Sequence, residues 1–274
     1  MLCELENIKI YYEIHGKGIP ILMIHGFTPD HRVLKGCIEP IFQNRSGFKR
    51  IYFDLPGMGK TEGKKWIKSS DEMLEIIIQF IKNIIPNEKF LIIGQSYGGY
   101  LTRGLLHKYH DEMLGICLIC PLIKPNPHNR DLPEFTPIIK NPSVIKNLDP
   151  QDREEFEESA VIQSEYVWER FQDEVLSGLK IADIQFLEGI YPKRYELSFD
   201  VDKLTNKFDR PTLFLLGRQD NAVGYRNAWK IIENFSRASY ILLDKAGHLL
   251  QIEQKAMFDM SVSEWLDRVM EATN

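Results

Sequence analysis

The pentapeptide Gly94-Gln95-Ser96-Tyr97-Gly98 sets a hydroxyl between an apolar run, Phe90-Leu91-Ile92-Ile93, and a helix-like stretch from Tyr100 to Lys108. A serine hydroxyl is a weak nucleophile unless a tight strand-to-helix turn lifts it toward a base, and such a turn tolerates only small neighbours. Gly94, Gly98 and Gly99 supply them. The bare pentapeptide recurs by chance in unrelated chains; the strand before it and the helix after it give it weight. The chemistry also needs a histidine to take the proton, an acid to orient that histidine, and two backbone N–H groups to hold an oxyanion. Pro211-Thr212-Leu213-Phe214-Leu215-Leu216-Gly217 reads as a buried strand, with Asp220 just beyond its end, where ligand groups gather in open parallel sheets. Ser239-Tyr240-Ile241-Leu242-Leu243 reads as another strand, and Ala246-Gly247-His248 follows it ahead of an apolar helix. The reaction these residues could perform is two-step acyl transfer: Ser96 attacks a carbonyl, His248 accepts its proton, Asp220 holds the imidazole tautomer, and water cleaves the acyl-enzyme.

The chain order Ser, Asp, His is that of the α/β-hydrolases. The sequence resembles that superfamily over nearly its whole length, in particular the capped members that include proline iminopeptidases, small esterases and carbon–carbon bond hydrolases. Besides the elbow, the resemblance rests on Ile21-Leu22-Met23-Ile24-His25-Gly26-Phe27, a strand ending in a His-Gly step. It rests also on Asp54-Leu55-Pro56-Gly57-Met58-Gly59-Lys60-Thr61, similar to the family's D-x-x-G-x-G-x-[ST] turn. It implies a mostly parallel central sheet flanked by helices, with a mainly helical cap inserted after the strand ending near Cys120. It further implies oxyanion N–H groups at Phe27 and Tyr97, and neither a metal nor an organic cofactor. An aspartate nucleophile, as in the dehalogenase and epoxide-hydrolase relatives, is excluded by Ser96. Some proteins of this fold with an intact triad act as small-molecule receptors or signalling partners with slow turnover, and the triad residues do not distinguish them.

Other residues have competing readings. His25 is expected to shape its loop by bonding to backbone, since His248 has the better position for a general base. Asp54 is expected to form a turn. Gly57-Met58-Gly59-Lys60-Thr61 ends like a phosphate-binding loop, but Asp54 stands where that loop needs glycine. Cys117 and Cys120 make a C-x-x-C inside an apolar strand, where residues three apart point to opposite faces. Buried filling in a reducing compartment is the simpler reading than redox or metal chemistry.

Composition bounds the rest. A chain of 274 residues with 43% hydrophobic content can hold one large core plus a small inserted domain. A net charge of −5 argues against a nucleic-acid-binding face. No apolar run approaches the roughly 18 residues needed to span a bilayer, and Met1 to Glu6 lacks the pattern of a signal peptide. The expected location is cytoplasmic and the expected partner a small-molecule or short-peptide substrate.

Positioning these groups takes alternating strands and helices. Residues 3–14 suggest a hairpin turning at Glu6-Asn7. Strands are expected at Ile21–His25, Arg50–Asp54, Phe90–Gln95 and Leu114–Cys120, and helices near Val33–Gln43, Asp71–Ile85 and Tyr97–Tyr109. Ser70 is expected to cap the second of these helices, with acids in its first turn. This rhythm means a mainly parallel sheet covered on both faces. It divides the chain into a first core part, 1–122, a cap, 123–208, and a second core part, 209–274. In the cap, prolines break the first half and helices are expected near Gln151–Ser164, Glu165–Lys180 and Ile181–Ile190. Residues 122–208 carry 17 acidic against 11 basic side chains, so the chain's negative excess belongs there.

That acidity separates two substrate readings. Glu154, Glu155, Glu157, Glu158, Glu165 and Glu169 are available to bind a peptide's free amino terminus, as the resemblance to proline iminopeptidases implies, although surface glutamates are usually solvated. Phe135, Phe156, Tyr166, Trp168, Phe171, Phe186 and Tyr191 point instead to an apolar acyl pocket, although many of them must pack the cap. Of these, Trp168 and Phe171 are expected to control selectivity. A small carboxylic ester is the first choice.

Overall fold

In the computed structural model, which describes residues 1–273, the amino-terminal alternation forms an antiparallel hairpin of β1 (Leu2–Glu4) and β2 (Lys9–His15). The later apolar runs become β3 (Ile19–Ile24), β4 (Phe48–Phe53), β5 (Phe90–Gln95) and β6 (Met113–Ile119). After a small separate pair, β7 (Ile139–Lys140) and β8 (Ile162–Gln163), the sheet resumes with β9 (Thr212–Gly217) and β10 (Ala238–Leu243). The eight-stranded sheet runs β1-β2-β4-β3-β5-β6-β9-β10, and every pairing from β4 to β10 is parallel. All six residues of β5 and of β9 are buried, as strands covered on both faces must be. The strand order reverses between β3 and β5, so the connections leaving their paired carboxyl ends run to opposite faces of the sheet and leave the crevice where such sheets bind ligands.

Helices α1 (Arg32–Ile38), α2 (Ser70–Ile84) and α3 (Tyr97–Tyr109) connect the first parallel strands. The segment between β6 and β9 holds α4 (Pro142–Lys146), α5 (Pro150–Ser159), α6 (Glu165–Phe171), α7 (Ser177–Leu179) and α8 (Ile184–Glu188). The chain closes with α9 (Arg226–Trp229), α10 (Leu250–Glu253) and the long α11 (Lys255–Thr273). α2 and α3 pack on each other, as do α1 and α11, giving the two helical layers. Trp265 of α11 is fully buried and donates its indole N–H to the Pro211 carbonyl, fixing the helix to the start of β9. Among the described residues no helix is long and apolar enough to cross a membrane.

Three expectations need correction. The cap of α2 is Ser69, whose side chain accepts the Asp71 N–H; Ser70 is already helical and buried, bonded to the Tyr97 hydroxyl and the Tyr195 carbonyl. The helix expected over Gln151–Ser164 ends at Ser159, because Ile162 and Gln163 pair with Ile139 and Lys140. The expected helix near Ile181–Ile190 is only Ile184–Glu188. The expected Glu165–Lys180 rod is present as α6 and α7 joined through a wider π turn, Gln172–Leu176.

Candidate active site

Ser96 sits at the corner between β5 and α3 with φ 53° and ψ −116°, a left-handed conformation that costs a non-glycine residue about 1–3 kcal/mol. The corner is held by Ser96 N–H to the Ile119 carbonyl at 2.9 Å and Leu122 N–H to the Ser96 carbonyl at 2.9 Å, both from the end of β6 and the residues just after it. Its glycines are required by contact. A Cβ on Gly94 would stand 2.5 Å from Thr102 Oγ1, and one on Gly98 would stand 1.9 Å from the Ile24 carbonyl oxygen.

Asp220 and His248 arrive from the ends of β9 and β10. His248 Nδ1 lies 2.9 Å from Asp220 Oδ2, while Asp220 Oδ1 accepts the N–H groups of Ala222 and Val223 at 2.9 and 3.0 Å. Burial opposes the charge on Asp220, but His248 and these two N–H groups more than offset it and hold the carboxyl below its ordinary pKa. The bonding assigns the proton between them to Nδ1, leaving Nε2 as an acceptor. No hydrogen bond joins the Ser96 hydroxyl to His248; the imidazole Nε2 lies 3.5 Å from Gln95 Nε2. Gln95 was not foreseen as a neighbour of the histidine. It is the second residue of the elbow, and its other amide atom, Oε1, is buried without a partner among the described residues.

Phe27 lies in the loop after β3 and Tyr97 opens α3 directly after the serine. Among the described residues neither backbone N–H is taken up by a backbone acceptor. Their rings meet edge to face at 5.3 Å, and Tyr195 stacks on Tyr97 at 4.6 Å. His25 acts as a spacer below them: Nδ1 donates to the Gly26 carbonyl at 2.7 Å and Nε2 accepts the Leu55 N–H at 2.9 Å. Burial pushes its pKa down and so favours the neutral ring. Asp54 closes the following turn, accepting from Lys60 N–H and from His31.

Two cavities meet at Ser96 and His248. One, of about 530 Å³, is walled by Gln95, Phe135, Glu155, Glu158, Val175 and Leu179. The other, of about 400 Å³, is walled by Leu122, Arg130, Leu187, Tyr191, Tyr195 and Val223. Of the glutamates expected near the substrate only Glu155 and Glu158 reach a wall; burial, then Glu158, Glu154 and Asp152, raise the Glu155 pKa. Of the aromatic residues, Phe135 and Tyr191 reach the cavities and Tyr166 is exposed. Trp168 and Phe171 do not line them. They pack with Phe156 at ring separations of 5.2 and 5.4 Å, so their expected control of selectivity gives way to an anchoring role.

Groups that could hold a metal are already engaged. Cys120, Asp220 and His248 lie together, but Asp220 is committed to His248 and two N–H groups, and burial keeps the Cys120 thiol far above its usual pKa. In the second group, Asp30, His31 and Asp54, Asp30 is paired with Arg32 and Asp54 with His31. Cys117 is likewise buried with its thiol pKa raised.

Glu253 was not singled out from the sequence, although an acid ending the run Leu249-Leu250-Gln251-Ile252 is a visible anomaly. Burial pushes its pKa up to about 7, and Asp220 adds to the rise against three backbone N–H bonds that oppose it. Between about pH 4.5 and about 7 the folded chain therefore holds a proton that the unfolded chain has lost. Stability contributed this way falls as pH rises through that window. Asp220, with its lowered pKa, contributes stability lost only on acidification, below the ordinary aspartate range. Thermal melts of the wild type and E253Q across this range should show the steeper decline in the wild type; equal slopes would overturn the assignment.

A family model described as the α/β hydrolase fold matches residues 19–255. A solved structure of an α/β superfamily hydrolase from Oenococcus oeni PSU-1 superposes with a TM-score of 0.87 at 29% identity, covering 96% of this chain and 96% of that one. A pimeloyl-[acyl-carrier protein] methyl ester esterase of Legionella pneumophila is 22% identical over 94% of this chain and 100% of its own. A proline iminopeptidase of Saccharolobus solfataricus is 22% identical over 97% of this chain and 91% of its own.

Proposed function

Since the chain belongs to the α/β hydrolase fold family and is an enzyme of that class, we propose that it is a serine hydrolase cleaving a small carboxylic ester through an acyl-enzyme on Ser96. The observation that carries this reading is the strained Ser96 corner facing an aspartate-oriented histidine at the junction of two cavities. In the proposed mechanism substrate binding closes the gap between Ser96 Oγ and His248 Nε2, as such bonds tighten in the reacting complex. The hydroxyl then attacks the carbonyl carbon while its proton passes to Nε2. The N–H groups of Phe27 and Tyr97 receive the charge that develops on the carbonyl oxygen. The imidazolium, stabilised by Asp220, returns its proton to the departing alkoxide, and water repeats the sequence to release the acid.

The segment 123–208 serves in this reading as a cap that supplies cavity walls, while the sheet edge supplies the chemistry. The apolar wall of Leu187, Tyr191 and Tyr195 suits an acyl chain or a ring. A second reading, an aminopeptidase of proline iminopeptidase type, is favoured by one observation: Glu155 and Glu158 border the other cavity, where a carboxylate would meet an ammonium group. Chromogenic esters of rising acyl length, assayed beside amino-acid arylamides including that of proline, separate the two. Esters are expected to lead by about 100-fold in kcat/KM, or about 2.7 kcal/mol of transition-state binding. A lead of that size for the proline arylamide would replace the first reading by the second. Slow turnover of the whole panel, with Ser96 still reactive to a phosphonate probe, would favour a receptor.

A further inference from the structure

Glu253 lies at the end of α10, five residues after His248, and is 8% exposed. Its two oxygens serve different parts of the molecule. Oε1 accepts the N–H of Val161 at 2.6 Å and of Ile162 at 3.2 Å, both in the cap. Oε2 accepts the N–H of Gly247 at 2.6 Å, the residue before His248. The Val161 carbonyl in turn accepts from Ile138 and Ile139, so the small β7–β8 pair hangs from the same point. Side-chain packing follows the same line: a Cβ on Gly247 would stand 2.7 Å from Val161 Cγ2. From the core side the loop is backed by Gln219 N–H on the Ala246 carbonyl, and the titratable neighbours there are Asp220 and Cys120.

We propose that Glu253 is a positioning residue that fastens the cap at Val161–Ile162 to the loop carrying His248, so that seating of the cap and placement of the base are a single event. The inference rests on the reading of His248 as the general base. Ionised, as it is above pH about 7, the carboxylate suits this task because both its oxygens accept from donors, whereas the protonated acid would set its O–H against one of those N–H groups. Glutamine keeps the shape and loses the function, because its NH₂ must face either Gly247 N–H or Val161 N–H, donor against donor. A loop shifted by as little as an ångström would misplace the imidazole, a displacement that costs about 10²-fold in rate.

Amide hydrogen exchange above pH about 7, where Glu253 is ionised, reads the tie directly. In the wild type the Val161, Ile162 and Gly247 amides should open together, with protection agreeing within about threefold as one cooperative unit. In E253Q at least one side of the tie should exchange about 100-fold faster, and the two sides should no longer move together. Turnover by E253Q should fall about 10- to 100-fold in kcat, with labelling of Ser96 by a fluorophosphonate slowed in parallel, since both need the base. Should E253Q fail to fold, the wild-type exchange data decide alone. Independent opening of Gly247 and Val161 in the wild type, unchanged exchange in E253Q, or a change in KM with kcat intact would each overturn the proposal. If instead His248 is not the base, the exchange results stand while the labelling rate ceases to follow them.

Discussion

Ser96→Ala is expected to lower kcat by about 10⁶-fold, or about 8 kcal/mol, leaving only what binding and the oxyanion donors provide. The loss is this large because the substitution abolishes the covalent route. A water molecule in place of the hydroxyl is held by no bond, and the proximity that the elbow creates is gone. Folding should survive, since alanine meets the same backbone strain at φ 53° that serine already bears, and Ser96 is not a side-chain cap for α3. A fluorophosphonate probe should label the wild type at this residue and leave the variant unlabelled, with melting temperatures alike. Labelling that persists, or residual kcat above about a hundredth of wild type, a loss under about 2.7 kcal/mol, would remove Ser96 from the nucleophile's role.

Asp220→Asn is expected to cost about 10⁴-fold in kcat. The geometry says why an isosteric change should be so damaging. Ala222 and Val223 both donate to Oδ1, so the asparagine carbonyl must take that place and its NH₂ must face His248 Nδ1. Nδ1 then becomes the acceptor, the ring proton moves to Nε2, and the nitrogen facing the serine can no longer receive a proton. The charge that stabilises the imidazolium is lost as well. Affinity for an unreactive substrate analogue should hardly change, because the charge matters chiefly in the transition state. Some relatives carry the acid after the strand preceding the cap, but here that stretch is Pro121-Leu122-Ile123-Lys124-Pro125-Asn126, with no carboxylate. Retention of more than about a tenth of wild-type kcat, a loss below about 1.4 kcal/mol, would require a different orienting acid.

The parallel core was legible because most of its strands are short apolar runs bounded by a glycine, a proline or a charge, a pattern with few alternatives; β4, which carries Lys49 and Arg50, is the exception. The same logic led from Ser96 to Asp220 and His248, which the fold brings to one place because parallel strands end on one edge. What stayed hidden depended on partners far away in the chain. Ser69 and Ser70 are equally good caps by local rule; only Tyr97 and the Tyr195 carbonyl, which claim the Ser70 hydroxyl, decide between them. Val161 and Ile162 read as the end of a helix until their pairing near Ile139 and their bonds to Glu253 are seen. The ring of Trp168 lies on an amphipathic helix whose apolar face could look toward the cavity or toward Phe156, and periodicity has no term for which. Nothing in the local sequence marks Gln95 as a neighbour of His248; the fold sets its amide nitrogen 3.5 Å from that ring.

The contact of Gly98 with the carbonyl oxygens of Ile24 and His25 sets main chain directly against main chain. Ile24 and His25 run on into Gly26 and Phe27, so the helix that carries the Tyr97 donor rests on the strand that delivers the Phe27 donor. No rotamer stands between the two, and the separation of the donors is gauged by the missing methyl group of one glycine. The loop that carries His248 has no such gauge: it is held mainly through side chains, Asp220 on the imidazole, Gln219 at Ala246, and at Gly247 the Glu253 carboxylate that also binds Val161 and Ile162. The site therefore has a stiff end and a compliant end. Changes in the walls above it are transmitted to the histidine, while the pair of donors that would meet the developing charge keeps its spacing.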